Sequence, residues 1–139
     1  MERFLGAWRL VAFEEDGPNG QTVYPYGPAP AGLLVYDQSG WMSVQIMRCD
    51  RARLSPGDWQ SIPAEEIKSA VDGFTAFFGR FEVDETSQTV THHVEGHVLP
   101  DSVGKSLRRE FTFTDDLLIL RPSRNRRVIW QRMGPRATP

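Results

Sequence analysis

The chain alternates short extended runs with turn residues and contains only one stretch with helical spacing. Strands and helices do not alternate along the chain, so a parallel sheet built from βαβ units is excluded. Short turns between successive strands instead predict an all-β fold, an antiparallel meander of about eight strands that closes, or nearly closes, into a barrel. A barrel of about eight strands has room for its own side chains and one small ligand. The expected strands lie at about 8–14, 32–36, 41–48, 79–84, 88–98, 106–114, 117–121 and 127–132.

The single predicted helix spans about residues 63–77. Pro63 fits a first helical turn, and Glu65 and Glu66 favour the positive N-terminal end. Gly79 fits the stop. Packing against the barrel is the simplest role for this helix, and a flap over a ligand is the functional alternative. Its apolar stripe consists of Ile67, Ala70, Val71, Phe74 and Phe78.

The length and charge of the chain limit its organisation and its partners. We expect one domain over residues 1–133 and a flexible tail over residues 134–139. The net charge of -2 and the pI of about 5.9 supply no overall positive field, so we expect neither nucleic acid nor a membrane as partner. The basic run at 121–127 is typical of a solvated hairpin turn.

Three features favour a cytoplasmic protein. Cys49 is the only cysteine, which excludes an intramolecular disulfide and fits a reducing compartment. The first residues lack the apolar core of a secretion signal. No segment approaches the roughly 20 apolar residues of a membrane span.

All three histidines lie within residues 91–97. In a strand, His92 falls on a valine-rich face, whereas His93, Glu95 and His97 fall on the other. The valines favour His92 facing the interior, and the opposite register would line a cavity with the polar triplet. Residues i and i+4 are about 13 Å apart in a strand, too far to share one ion easily. We therefore expect no metal and no cofactor.

Arg109 is the second residue that suggests chemistry. It shares the more apolar face of its strand with Phe111, which predicts an inward guanidinium. A buried arginine needs an anion, supplied by Glu14, by Glu95 or by a carboxylate or enolate ligand. A structural salt bridge is the simpler interpretation.

Further candidates come from aromatic and polar side chains. Tyr26 lies on a proline-stiffened loop, a fair place for a residue at a cavity mouth. Ser43 and Gln45 would anchor a carbonyl or hydroxyl group if they point inward. The candidate acid–base residues are His92, His93, Arg109 and Tyr26, and the candidate ligand contacts are Tyr36, Trp41, Ser43, Gln45, Phe74, Glu95, Arg108 and Phe111.

Six blocks of sequence follow one another along most of the chain. They are Gly6-Ala7-Trp8-Arg9-Leu10-Val11, Tyr24-Pro25-Tyr26-Gly27, Gly40-Trp41-Met42-Ser43-Val44-Gln45-Ile46-Met47-Arg48, Asp72-Gly73-Phe74, His92-His93-Val94-Glu95 and Arg108-Arg109. In this order the blocks resemble the bacterial and fungal lipocalin-like domain family. This resemblance implies a calycin-type β-barrel with an internal cavity, and it fixes no activity, although some members lie beside biosynthetic or degradative genes. It also suggests that Arg127 or Arg132 stacks on the Trp8 indole and closes one end of the barrel.

Three functions are compatible with these observations. The first is binding of a small hydrophobic or aromatic molecule in the barrel cavity. The second is a cofactor-independent isomerase, cyclase or lyase acting on a small carbonyl-containing metabolite, in which His92 or His93 is the base, Arg109 or Arg108 stabilises an enolate and a tyrosine donates a proton. The third is a non-catalytic dimerisation module with a filled barrel. Homodimer formation is compatible with all three.

Overall fold

The strands pair in chain order, and the first also pairs with the last. The computed structural model describes residues 1–134, and its one α-helix, α1, spans Ala64–Asp72. Short 3-10 helices lie at Glu2–Phe4, Trp59–Ser61 and Pro100–Ser102. The strands are β1 Gly6–Asp16, β2 Thr22–Val23, β3 Ala31–Tyr36, β4 Trp41–Met47, β5 Phe74–Asp84, β6 Thr89–His97, β7 Ser106–Thr114, β8 Leu117–Ser123 and β9 Arg126–Arg132.

Pairing between β1 and β9 closes the barrel. β1 pairs with β3 along its first half and with β9 along nearly its whole length, in both cases antiparallel. The two-residue β2 pairs only with the far end of β1. Eight strands thus form a ring without free edges, which removes the edge-pairing hazard of an open sheet. The prediction of an all-β, eight-stranded antiparallel barrel with one helix is confirmed.

The helix is shorter than the sequence predicted, and the expectation for residues 73–77 was wrong. α1 ends at Asp72, and β5 begins at Phe74. Phe74 pairs with Met47, the last residue of β4, so sheet pairing prevails over the helical spacing of the phenylalanines. The backbone N–H of Arg48 also donates to the Gly73 carbonyl oxygen at 2.9 Å, which ties the end of the helix to β4.

One end of the barrel is plugged by the 3-10 helix Glu2–Phe4. Phe4 is almost completely buried, and its ring packs edge-on against Phe111 at 4.8 Å and Phe113 at 5.0 Å between centroids. Trp8 Nε1 donates to the Phe4 carbonyl oxygen at 2.8 Å. These contacts fill this end of the interior with aromatic rings.

Arg132 covers the same end from outside. Its guanidinium carbon lies 4.2 Å from the centroid of the Trp8 ring. Its two terminal nitrogens donate to the carbonyl oxygens of Leu5 and Arg3. Of the two arginines that the resemblance suggested, Arg132 therefore makes the stack, whereas Arg127 forms ion pairs with Glu14 and Asp16.

The strand register shifts at three places, one of them between Leu120 and Ser123 of β8, and the other two change which side chains face the interior. The register between β1 and β9 shifts between Leu10 and Ala12, so Val11 is the extra residue. The register between β5 and β6 also shifts, because Phe78 pairs with Gly96 and Gly79 with Val94. Glu95 is therefore extra on β6, and residues beyond it change faces.

Other expectations concern parts of the chain away from the barrel wall. Cys49 is exposed and free. Within residues 1–134, the helices are all too short or too polar to cross a bilayer. The expected tail at 134–139 lies, after its first residue, outside the described residues.

The Arg132 cover makes a prediction about stability. Arg132→Met removes the cation–π contact and both carbonyl bonds, and we expect it to lower the free energy of unfolding by about 1–2 kcal/mol. Urea unfolding followed by tryptophan fluorescence measures this. Arg124→Met, in the exposed turn before β9, is the matched control, and equal effects of the two substitutions would contradict the role assigned to Arg132.

Candidate functional site

A cavity of about 240 Å³ lies in the barrel, on the side away from the Phe4 plug. The loop that carries Tyr26 and the start of β5 border it. Its volume is a little below the roughly 300 Å³ at which ligand pockets usually begin, so it suits a small molecule. Most of its wall is apolar and includes Phe13, Leu34, Val44, Ile46, Leu120 and Val128.

Few polar side chains line this cavity, and none of the described ones is acidic. The charged residues among them are Arg109 and Arg126. Arg126 donates from Nε to Glu15 Oε1 at 2.8 Å, so its charge is balanced on the barrel rim. The full polar set is Tyr26, Thr75, His92, His97, Arg109 and Arg126.

His92 faces the interior, as its valine neighbours predicted, and only 3% of its surface is exposed. Its Nε2 lies 2.7 Å from the hydroxyl oxygen of Tyr36, which is also buried. Nδ1 of His92 has no hydrogen-bond partner among the described residues. If the Tyr36 O–H donates to His92 Nε2, only the His92 Nδ1–H lacks a partner. If Nε2–H instead donates to the Tyr36 oxygen, both the tyrosine O–H and the Nδ1 lone pair lack one. The Tyr36 hydroxyl is therefore the donor.

Burial keeps this pair neutral. Desolvation, followed by the nearby positive charge of Arg109 and then His93, lowers the pKa of His92 from 6.5 to about 3. Desolvation also raises the pKa of the Tyr36 hydroxyl far above its usual value, although Arg109 acts in the opposite sense. At neutral pH the pair is a neutral phenol bonded to a neutral imidazole.

Arg109 lies beside this pair with its charge uncompensated. β7 turns Leu107, Arg109 and Phe111 toward the interior, as the sequence predicted. Burial lowers the pKa of the guanidinium, which nevertheless stays charged. No carboxylate of the described residues forms a salt bridge with it, so neither Glu14 nor Glu95 is its partner.

His97 also lines the cavity, which corrects the expectation that it shares a face with His93 and Glu95. The bulge at Glu95 reverses the alternation and turns His97 inward, where its ring stacks on Phe77 at 5.4 Å. The Leu99 backbone N–H donates to His97 Nδ1 at 2.9 Å, so the proton of the neutral ring is on Nε2. Partial burial lowers the pKa of His97 and favours this neutral form.

Tyr26 is held at the rim by its loop. Arg48 Nη1 donates to the Pro25 carbonyl oxygen at 3.0 Å, and the same guanidinium pairs with Asp50. The Tyr26 ring packs on Phe13 at 5.0 Å between centroids. Partial burial raises the pKa of its hydroxyl, which keeps it a neutral donor.

Four of the predicted site residues lie on the outer wall. His93 Nδ1 is 2.9 Å from Ser106 Oγ, and its Nε2 is 3.5 Å from Glu82. Glu95, the bulged residue, points outward with its carboxylate 3.8 Å from Arg80. Trp41 is covered by the same Arg80, and Arg108 is exposed.

None of the remaining predicted ligand contacts lines the cavity, and Tyr36 reaches it only through its hydrogen bond to His92. Ser43 and Gln45 hydrogen-bond to each other at 2.9 Å in an outer groove. Phe74 lines a separate pocket together with Val71 and Asp72 at the end of α1. Phe111 belongs to the aromatic plug around Phe4.

The sequence reasoning missed several lining residues. Thr75 and Phe77 were assigned to the helix, and Arg126 to a solvated turn. Trp130 also lines the cavity, and its buried Nε1 has no hydrogen-bond partner in the described part of the chain. Alternation along β9 from the buried Val128 would have placed it inside.

Among residues 1–134, no three His, Cys, Asp or Glu side chains converge in a way that could hold a metal ion.

Two comparisons with known proteins bear on the family to which this barrel belongs. A family model described as a lipocalin-like domain matches residues 5–137, nearly the whole chain. Curated protein sequences give no match.

The buried His92 predicts a pH-dependent stability. The unfolded chain binds this proton below about pH 6.5, whereas the folded chain binds it only near pH 3. Acidification between these values therefore favours unfolding, by about 1.4 kcal/mol per pH unit from this residue. We expect His92→Gln, which keeps a partner for Tyr36, to flatten the dependence of unfolding free energy on pH between 6 and 4. Parallel profiles for the two proteins would contradict a neutral buried His92.

Proposed function

The chain belongs to the lipocalin-like domain family, and we propose that it binds a small hydrophobic or aromatic molecule in the cavity of the barrel. The observation that carries this proposal is a cavity of about 240 Å³ with an apolar wall and a few polar groups. Such a combination is typical of small-molecule sites, in which apolar surface supplies affinity and a few polar atoms fix orientation.

Unsatisfied polar atoms support the same proposal. Trp130 Nε1 and His92 Nδ1 are buried, and neither has a hydrogen-bond partner among the described residues. A buried donor without a partner costs roughly 1–3 kcal/mol, which a bound polar atom would recover. The cavity also argues against a dimerisation module with a filled barrel, because about 240 Å³ of the interior is open.

A second candidate, the cofactor-independent isomerase, cyclase or lyase, is favoured by the group formed by His92, Tyr36 and Arg109. A base, a phenol and a positive charge close together are what enolisation of a carbonyl compound needs. The pKa of His92 near 3 weighs against it, because so weak a base removes carbon-bound protons poorly at neutral pH. Binding without turnover is therefore the first proposal.

A blocked cavity tests the binding proposal. We expect 2-naphthamide, a small neutral aromatic probe, to bind the wild type and to shift the Trp130 indole N–H resonance in a ¹⁵N–¹H NMR titration. Thr75→Trp puts an indole into the cavity mouth, and we expect the affinity to fall at least tenfold. Ala76→Trp, one residue along on the outer face, is the matched control.

The result that would contradict binding in the cavity is equally specific. A titration that moves the outer Trp41 or Trp59 resonance while Trp130 stays fixed would place the probe on the surface. Equal affinities in Thr75→Trp and Ala76→Trp would do the same.

Proton exchange separates the two candidate functions. An active base at His92 would remove a proton from the methyl group of 2-acetonaphthone and return a deuteron from D₂O. We expect the exchange rate, followed by ¹H NMR at neutral pH, to equal the rate in buffer. An acceleration that His92→Gln abolishes would favour the enzyme instead.

A further inference from the structure

We propose that the ligand is a carboxylate anion with an apolar, naphthalene-sized body, and that the Arg109 guanidinium binds its carboxylate inside the barrel. This inference rests on the proposed binding function and names the chemical class of the ligand. Its basis is a partly buried positive charge in a mostly apolar cavity, together with buried donors that have no hydrogen-bond partner among the described residues.

The charge inside the barrel is opposite to that of the whole chain. The protein carries a net charge of -2, yet the charged side chains that line the cavity are two arginines. Arg126 is balanced by Glu15 at 2.8 Å. The positive charge of Arg126 repels that of Arg109, and no acidic group within residues 1–134 is among the neighbours that stabilise the Arg109 charge. Such a charge would repel a cationic ligand, and a neutral ligand would not balance it.

Arg109 is partly buried, and partial burial of a guanidinium without an acidic partner is costly. Placing a charge in a low-dielectric interior is unfavourable unless it is paired. The two acids that the sequence suggested as partners are engaged elsewhere, Glu14 with Arg127 and Glu95 with Arg80. A ligand carboxylate would supply the missing charge, because its two oxygens match the planar fork of arginine.

The cavity wall also contains buried N–H groups without a partner among the described residues, and a ligand that accepts hydrogen bonds would pair with them. Trp130 Nε1–H is a donor only, and it is buried without a partner among residues 1–134. His92 Nδ1–H is a second such donor, because the Tyr36 hydroxyl donates to Nε2. The partly buried His97 adds its Nε2–H to the cavity wall. A ligand that is mainly an acceptor at its polar end satisfies such groups, and a carboxylate is the commonest such group.

The geometry also fixes the orientation. The plug of aromatic rings around Phe4 closes one end, and Arg109 lies two residues before Phe111, which belongs to that plug. The carboxylate would therefore enter first, and the apolar body would lie along Val44, Ile46 and Phe77 toward the mouth. The desolvated pair of Tyr36 and His92 beside Arg109 would stay neutral and would not compete for its charge.

A matched pair of probes tests the charge alone. 2-Naphthoate and 2-naphthamide have the same shape, and at pH 7 only the first is charged. We expect the wild type to bind the carboxylate at least tenfold more tightly, measured by isothermal titration calorimetry at fixed ionic strength. Arg109→Met should abolish this preference while keeping the affinity for the amide. Arg109→Lys should restore part of it.

The adjacent arginine supplies the control. Arg108→Met removes the same charge from the outer wall of the same strand, and we expect it to leave both affinities unchanged within twofold. Thermal unfolding of each variant separates loss of binding from loss of the fold.

Each outcome decides a different point. If the amide binds as tightly as the carboxylate, the anion inference is wrong and the binding function stands. If the carboxylate preference survives in Arg109→Met or is lost in Arg108→Met, another group binds the charge and the inference is overturned. If neither probe binds the wild type, the proposed binding function fails together with the inference.

Discussion

Pairing of β1 with β9 is the constraint on which the rest of this structure depends. It joins the two ends of a meander and gives each of the eight barrel strands two neighbours within the ring. Once the ring is closed, each strand must send alternate side chains into one enclosed space. The same seam carries the Arg132 cover over Trp8, while the Phe4 plug fills the space beneath it. One end of the barrel is therefore packed, and the empty volume is confined to the other.

The strand register shifts at three places, and the shift at Glu95 creates part of the site. The bulge at Glu95 lies opposite Gly79, where a Cβ atom would come within 1.9 Å of the His93 carbonyl oxygen. Only glycine fits this approach of β5 to β6. Beyond the bulge the alternation reverses, so His92 and His97 both face inward although they are five positions apart. The histidine run that stands out in the sequence is thus divided between the cavity and the outer wall.

The sequence predicts the barrel well because strand periodicity and turn residues are local signals. The faces of β7 follow directly from them, including an inward Arg109 beside Phe111. The inward face of β4 was left open, and the candidates Trp41, Ser43 and Gln45 lie on its outer face. The end of α1 could not be predicted in this way, because Phe74, Phe77 and Phe78 fit helical spacing and their pairing with β4 is a long-range interaction. The position of His97 depends on a bulge, which reverses parity without a sequence motif of its own. The Tyr36–His92 contact joins residues 56 positions apart, so only the closed barrel reveals it.

The candidate site combines a mostly apolar wall with one positive charge, that of Arg109, which no carboxylate of the described residues balances. Tyr36 and His92 form a hydrogen bond as neutral groups, so Arg109 is the charge that a bound ligand would neutralise. A crystal structure of the protein with 2-naphthoate is the most direct test. We expect the carboxylate of the probe to lie within about 3 Å of the Arg109 guanidinium and its naphthalene rings to lie between Val44 and Phe77. A carboxylate bound at the exposed Arg108, Arg121 and Arg124, with the barrel interior unchanged and empty, would contradict it.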